Sequence, residues 1–219
     1  MVLSAAGPPA ALVLTTYLLE VASTLTRISI SRDALGTSEP SASDTPRRFS
    51  PVSTKEGNVP VLYAAEGLTC ALGETVFQDL DDDSSVPQEV LRSDLLTLRA
   101  GTLTVVRALL LGDLRDPALT SYGVAREQVI ATRTEDYPVT RRWAQHAWDA
   151  GDLDGIGWNS RRTPQGLSFM LFMPASGSRG VRRRRDLAAA GPPLALFDGP
   201  GLGQVMTAAT QRNVTVVIP

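Results

Sequence analysis

Cysteine, histidine and lysine are almost missing from this chain of 219 residues: Cys70, His146 and Lys55 are each the only one of their kind. A single cysteine excludes an internal disulfide and fits a reducing compartment. One cysteine and one histidine exclude a zinc site of the usual nitrogen and sulfur type, so no metal is expected. No histidine has an evident way to reach Cys70, which argues against thiol catalysis. The net charge is only −2, so there is no broad positive field for a polyanion and direct nucleic-acid binding is not expected. Long apolar runs are missing too. The run Ala10-Ala-Leu-Val-Leu-Thr-Thr-Tyr-Leu-Leu19 ends at Glu20 and has no basic stretch before it. It reaches about half of the ~20 residues that a membrane span requires. The expectation is a peripheral helix on a cytoplasmic protein that makes no membrane contact.

What the chain does contain suits one core. Its length favours a single compact α/β (α+β) domain, a mixed central sheet with flanking helices. The expected division is a peripheral segment over 1–24, a core domain over 25–174, and a basic loop with an αβ extension over 175–219, packed on the same domain. The organising stretch is Val61-Leu-Tyr-Ala-Ala-Glu-Gly-Leu-Thr-Cys-Ala-Leu-Gly-Glu-Thr-Val76, a short strand running into a short helix. Val59, Val61 and Tyr63 alternate with Leu62 and Ala64, which predicts two differently occupied sheet faces. The helix is expected to carry Glu74, with Cys70, Ala71, Phe77 and Gln78 three or four residues away. A carboxylate among such neighbours is poorly solvated and costly to keep unless a cation comes close.

Leu25-Thr-Arg-Ile-Ser-Ile-Ser31 alternates as a strand, with Arg27 pointing away from Ile28 and Ile30. Residues 32–58 read as a long loop, pinned at Arg47-Arg-Phe-Ser-Pro51 by the aromatic ring. Asp79-Leu-Asp-Asp-Asp-Ser-Ser85 reads as a solvated acidic turn. Strands are expected at 95–98 and 102–111, joined through Ala100-Gly101, then a helix over 124–131 and a longer one over 139–150. On the last, Val139, Trp143, Ala147 and Ala150 form an apolar stripe with His146 at its edge. Asp154-Gly-Ile-Gly-Trp-Asn-Ser-Arg-Arg162 predicts a strand that delivers Trp158, Asn159 and Ser160 to its end. It pairs as a hairpin with 167–173. Arg182-Arg-Arg-Arg185 reads as a solvated linker. A strand at 194–197, a helix over 202–211 and a strand over 214–218 complete the chain.

Four pieces occur in order: an arginine on an early strand, Arg-Phe in the loop, Leu-Tyr-Ala with Ala-Leu-Gly-Glu closing eleven residues after the tyrosine, and Asp154-Gly-Ile-Gly-Trp-Asn-Ser-Arg-Arg162. In this order the chain resembles the RES-domain family over about residues 25–173. The resemblance implies a fold akin to ADP-ribosyltransferases. It also implies NAD+ as substrate for the toxin half of a bacterial toxin–antitoxin pair, neutralised by an Xre-type antitoxin. Carried over by position, the family's functional residues are Arg27, Arg48, Tyr63, Glu74 and Ser160. The family usually has glycine where Arg47 stands, which leaves Arg47 and Arg48 as alternative ligand contacts.

These residue types suit the implied chemistry. Breaking the nicotinamide bond releases a neutral amine from a pyridinium and leaves an oxocarbenium-like ribose, as in glycoside hydrolysis. A carboxylate in a low-dielectric site stabilises that cation, the task assigned to Glu74. Arginine forks bind phosphate oxygens, which suits Arg27 and Arg48 to the pyrophosphate. Tyr63 offers a face for nicotinamide, and Ser160 a hydroxyl to orient Glu74 or the ribose. Two alternatives stand beside NAD+ glycohydrolase or phosphorylase activity. One is ADP-ribosyl transfer to a protein; the other is an inactive NAD-binding or interaction module.

Overall fold

The apolar run near the start of the chain is extended, not the expected peripheral helix. In the computed structural model, which describes residues 3–30, 47–80, 86, 88–174, 180–181 and 185–218, β1 (Thr16–Leu19) alternates exposed and half-buried side chains, the period of a strand. The run 10–19 has no 3.6-residue stripe to bury as a helix, and Thr15, Thr16 and Tyr17 favour extended backbone. β2 (Thr24–Ser29) follows. A hairpin of β3 (Val52–Thr54) and β4 (Gly57–Val59) then forms inside the stretch expected to be irregular. β5 (Val61–Ala65) runs directly into α1 (Gly67–Gly73), as its sequence predicts.

β6 (Gln88–Leu91) and a 3-10 turn over Arg92–Leu95 replace the strand expected at 95–98. β7 (Arg99–Val105) and β8 (Leu109–Asp113) come next, so Ala100 and Gly101 lie within a strand and the break falls at 106–108. Cross-strand pairing with β2 holds the Ala-Gly pair extended where its sequence alone reads as a turn. α2 (Asp116–Ser121), with Pro117 in its first turn, has no counterpart in the sequence-based expectation. α3 (Arg126–Val129) is shorter than expected, while α4 (Tyr137–Ala150) begins two residues early, again on a first-turn proline. β9 (Gly155–Asn159) and β10 (Leu167–Phe172) form the expected antiparallel hairpin. β11 (Leu187–Ala189), β12 (Leu194–Ala195), α5 (Gly199–Thr210) and β13 (Val214–Val217) end the chain.

Nine of these strands form one mixed sheet in the order β1-β8-β9-β10-β5-β2-β7-β11, with β12 also paired to β7. Only β8 and β9 run parallel in it. The sheet is curled: Leu103, Val105 and Leu187 near one edge share a core cluster with Leu109 and Leu111 near the other. Leu25, Leu62, Ala64, Phe169 and Leu171 fill the inside of that curl. The outer face carries Val61, Ile156, Trp158 and Met170, with Tyr63 at the margin, against Trp143, Ala144 and Ala147 of α4. Val61 and Tyr63 thus separate from Leu62 and Ala64 in the way their alternation predicts. A third cluster joins Leu72 and Phe77 to Val205, Ala208, Ala209 and Val214, which packs the last segment onto the end of α1. The protein is therefore a single mixed α/β domain around a curled sheet. Among the described residues no helix is long and apolar enough to cross a membrane.

Candidate functional site

Glu74 does not sit inside the helix. α1 ends at Gly73, and Glu74 is its C-cap, with its backbone N–H donating to the Cys70 carbonyl at 3.1 Å. The carboxylate consequently leaves a helix terminus, where the chain after β9 can meet it. That approach is close: a Cβ on Gly73 would stand 2.8 Å from Cβ of Arg162 and 3.5 Å from Oγ1 of Thr163. Glycine at 73 lets the end of α1 and the loop at 160–166 lie against each other.

Ser160 is fully buried. Its hydroxyl donates to Oε1 of Glu74 at 2.6 Å, and the backbone N–H of Arg161 donates to the same oxygen at 2.9 Å. The N–H groups of Arg162 and Thr163 donate to Ser160 Oγ at 3.2 and 3.1 Å. With two donors already on Oγ, its proton is directed to Glu74. One carboxylate oxygen is thereby fixed by charge-assisted hydrogen bonds. The other, Oε2, faces Nη1 of Arg48 at 3.5 Å, and these side chains keep 17% and 13% of their surface exposed. This is a preorganised anion with one oxygen held by the protein and one beside a cation.

The strap carrying Arg48 is held from three sides. Thr140 of α4 donates to the Arg48 carbonyl at 2.5 Å, and Arg141 Nε donates to the Arg47 carbonyl at 3.3 Å. Phe49 is fully buried, its ring centre 4.8 Å from that of Trp158. The Tyr63 hydroxyl donates to Ser50 Oγ at 3.1 Å. Burial pushes that hydroxyl up to about 12, against the opposing effects of the Ser50 hydrogen bond and the Arg47 guanidinium. Tyr63 is therefore neutral at physiological pH. Arg47 lies over the Tyr63 ring at 5.8 Å, and Arg48 at 5.9 Å from the Tyr137 ring. Of the two adjacent arginines, Arg48 is the one that meets Glu74.

Arg27 lies on β2, the strand next to the one that carries Tyr63. β2 and β5 share one bridged pair, Thr26 opposite Ala65, and then part, β2 continuing along β7 and β5 along β10. Arg27 is the next residue on one parting strand and Tyr63 lies just before the split on the other. The pairing puts Thr26 and Ile28 on the face of Ala65 and Tyr63, and Arg27 with Leu25 on the inside of the curl. Arg27 is buried, 8% exposed. The structure thus brings Glu74, Ser160 and Arg48 into contact, sets Tyr63 beside them through Ser50, and carries Arg27 on the opposite flank of the split.

Other candidate groups have structural partners. His146 Nε2 is 2.8 Å from the Leu12 carbonyl, a bond that ties α4 to the segment before β1. Cys70 is buried beside Ser168 Oγ at 3.5 Å, and desolvation pushes its thiol above the usual range, the reverse of an activated nucleophile. Among the described residues no cluster of three or more His, Cys, Asp or Glu is placed to hold a metal. Ile30 is exposed at the end of the β2 stretch, whereas Ser31 of that stretch, most of the acidic turn, Arg182 to Arg184 of the basic run, and residues 32–46 of the long loop lie outside the described residues.

Thr140, Ser50, Trp158 and Arg126 belong to the site without having been singled out for it; Arg126 donates to the Ser160 carbonyl at 2.5 Å. For Ser50 there was a signal, since Arg-Arg-Phe-Ser-Pro reads as pinned. Thr140 and Arg126 sit on ordinary helical patterns, and only the tertiary fold reveals their roles.

A curled mixed sheet whose central strands part beside a fixed glutamate, a serine and an arginine defines a mixed α/β domain with a polar side-chain cluster at the end of α1. Residues 24–190 match the RES domain model, and the chain belongs to the RES domain family, a toxin-like, NAD-related family. No curated protein sequence matches the chain.

Proposed function

We propose that this domain is the toxin of a toxin–antitoxin pair and degrades NAD+ at the nicotinamide N-glycosidic bond. The bond between the ribose C1′ and the pyridinium nitrogen breaks with its electron pair going to nitrogen, which releases neutral nicotinamide. Water then adds to C1′ and loses a proton, giving ADP-ribose, or phosphate oxygen adds to give the 1-phosphate. The observation that carries the proposal is the state of Glu74, an anion with Oε1 fixed by Ser160 and the Arg161 N–H and Oε2 left at the margin of the site. Such an anion stabilises the developing oxocarbenium ion without reorganising.

Arg48, and Arg27 from the other flank of the strand split, are assigned to the pyrophosphate, where planar guanidinium forks suit phosphate oxygens. Tyr63, neutral and aromatic, is assigned to the nicotinamide. The proposed cleavage requires no metal, since nicotinamide leaves as a neutral amine. An Xre-type antitoxin is the proposed partner, and the cytoplasm, where NAD+ is available, the proposed compartment.

Chromatography of NAD+ incubated with the purified protein, with and without phosphate, tests this. Free nicotinamide is expected, and the partner product identifies the acceptor. Transfer of label to protein instead of nicotinamide accumulation with a free sugar product would favour ADP-ribosyl transfer. Bound NAD+ with nicotinamide release at the background rate would make the domain an inactive binding module.

A further inference from the structure

Residues 191–218 lie beyond the family match, yet they touch the loop that holds Glu74. α5 and β13 bury Val205, Ala208, Ala209 and Val214 against Leu72 and Phe77, the residues flanking Glu74 in sequence. Just past α5, Arg212 extends into the junction. Its Nη2 donates to Thr163 Oγ1 at 2.7 Å and to the Thr69 carbonyl of α1 at 3.4 Å, and its Nη1 donates to the Ala208 carbonyl at 3.1 Å. The guanidinium carbon is 5.5 Å from the Phe77 ring centre. Thr163 in turn gives its N–H to Ser160 Oγ at 3.1 Å, and Ser160 Oγ donates to Glu74 at 2.6 Å. The linkage therefore runs from Arg212 to the Thr163 side chain, through that residue's own backbone N–H to Ser160, and on to Glu74.

We propose that Arg212 is a positioning residue for Glu74, and that the C-terminal segment serves the site by supplying it. The inference rests on the proposed NAD+ cleavage. One guanidinium bonds to α1 and to the loop at 160–166, which meet at Glu74, and to α5, which packs beside them. Ser160 points its proton at Glu74 while the N–H groups of Arg162 and Thr163 occupy Oγ from behind, and the Thr163 side chain is held by Arg212. The fork is needed because separate nitrogens serve Ala208 and Thr163 at fixed angles, which a lysine ammonium cannot reproduce.

Arg212→Met keeps an apolar stem over Phe77 and removes the donors; Thr163→Val removes the acceptor and leaves the other Arg212 bonds. Nicotinamide release is measured for each in the wild-type and Ser160→Ala backgrounds, with thermal unfolding alongside. Each variant is expected to lower kcat by up to about 10²-fold, the scale of a misplaced catalytic group, with KM nearly unchanged. In the Ser160→Ala background neither causes a further fall, because Arg212 acts through Ser160. An equal fall in both backgrounds, or a lowered unfolding temperature with kcat unchanged, overturns the positioning role while NAD+ cleavage stands. No nicotinamide from the wild-type protein overturns both.

Discussion

Glu74→Gln is expected to lower NAD+ turnover by about 10²-fold or more, the scale seen when one preorganised electrostatic group is removed from a transition state. The substitution is nearly isosteric. The amide oxygen still accepts from Ser160 and from the Arg161 N–H, so the end of α1 and the loop at 160–166 keep their contact. What disappears is the negative charge beside the ribose. The amide nitrogen is then turned toward Arg48, two donors facing each other where an ion pair stood at 3.5 Å. That site is partly exposed, so solvent limits the cost to the fold. The loss therefore appears in kcat, with KM little altered, as expected when an interaction made in the transition state is removed. Turnover close to wild type in a folded Glu74→Gln protein would assign the chemistry to another group.

Phe49→Ala is expected to have the largest effect on stability. The ring is fully buried, packs on Trp158 at 4.8 Å, and sits between Arg48 and Ser50. Truncating a buried phenylalanine costs about 3–5 kcal/mol through lost transfer energy and the cavity left behind. In a domain of this size that corresponds to a fall in Tm on the order of 10 °C. The strap loses its anchor as well, so Arg48 is freed from Glu74 and activity at permissive temperature falls with stability. An unfolding temperature like that of wild type would show that the strap is not packed as described.

The local grammar of the site was legible in the sequence. Alternation around Val61 and Tyr63 predicted which side chains share a face, and the Gly155–Gly157 stretch predicted the strand that ends at Asn159, just before Ser160. Long-range geometry was less so. Glu74 reads as helical because its neighbours at three and four residues are small or apolar. The helix stops one residue earlier, where Gly73 meets the incoming Arg162. The run at 10–19 reads as helical because it is apolar, yet Thr16–Leu19 pair with β8 instead. Period-two alternation correctly separated Arg27 from Ile28, but no local pattern says which side of a curled sheet each face becomes. That is set by the single Thr26–Ala65 bridge and the divergence after it. The role of the last segment was illegible for the same reason, since Arg212 meets Thr163 only through the packing of α5 on α1.

The central claim is that Arg27, Arg48 and Glu74 serve one dinucleotide from the two flanks of the β2–β5 split. The structure of the slow Glu74→Gln protein with NAD+ bound tests it most directly. The account predicts the pyrophosphate within hydrogen-bonding distance of both guanidinium groups and the nicotinamide ribose against residue 74. A dinucleotide bound away from the split, or one that touches residue 74 and Arg48 while Arg27 stays in the core without contact, would contradict it.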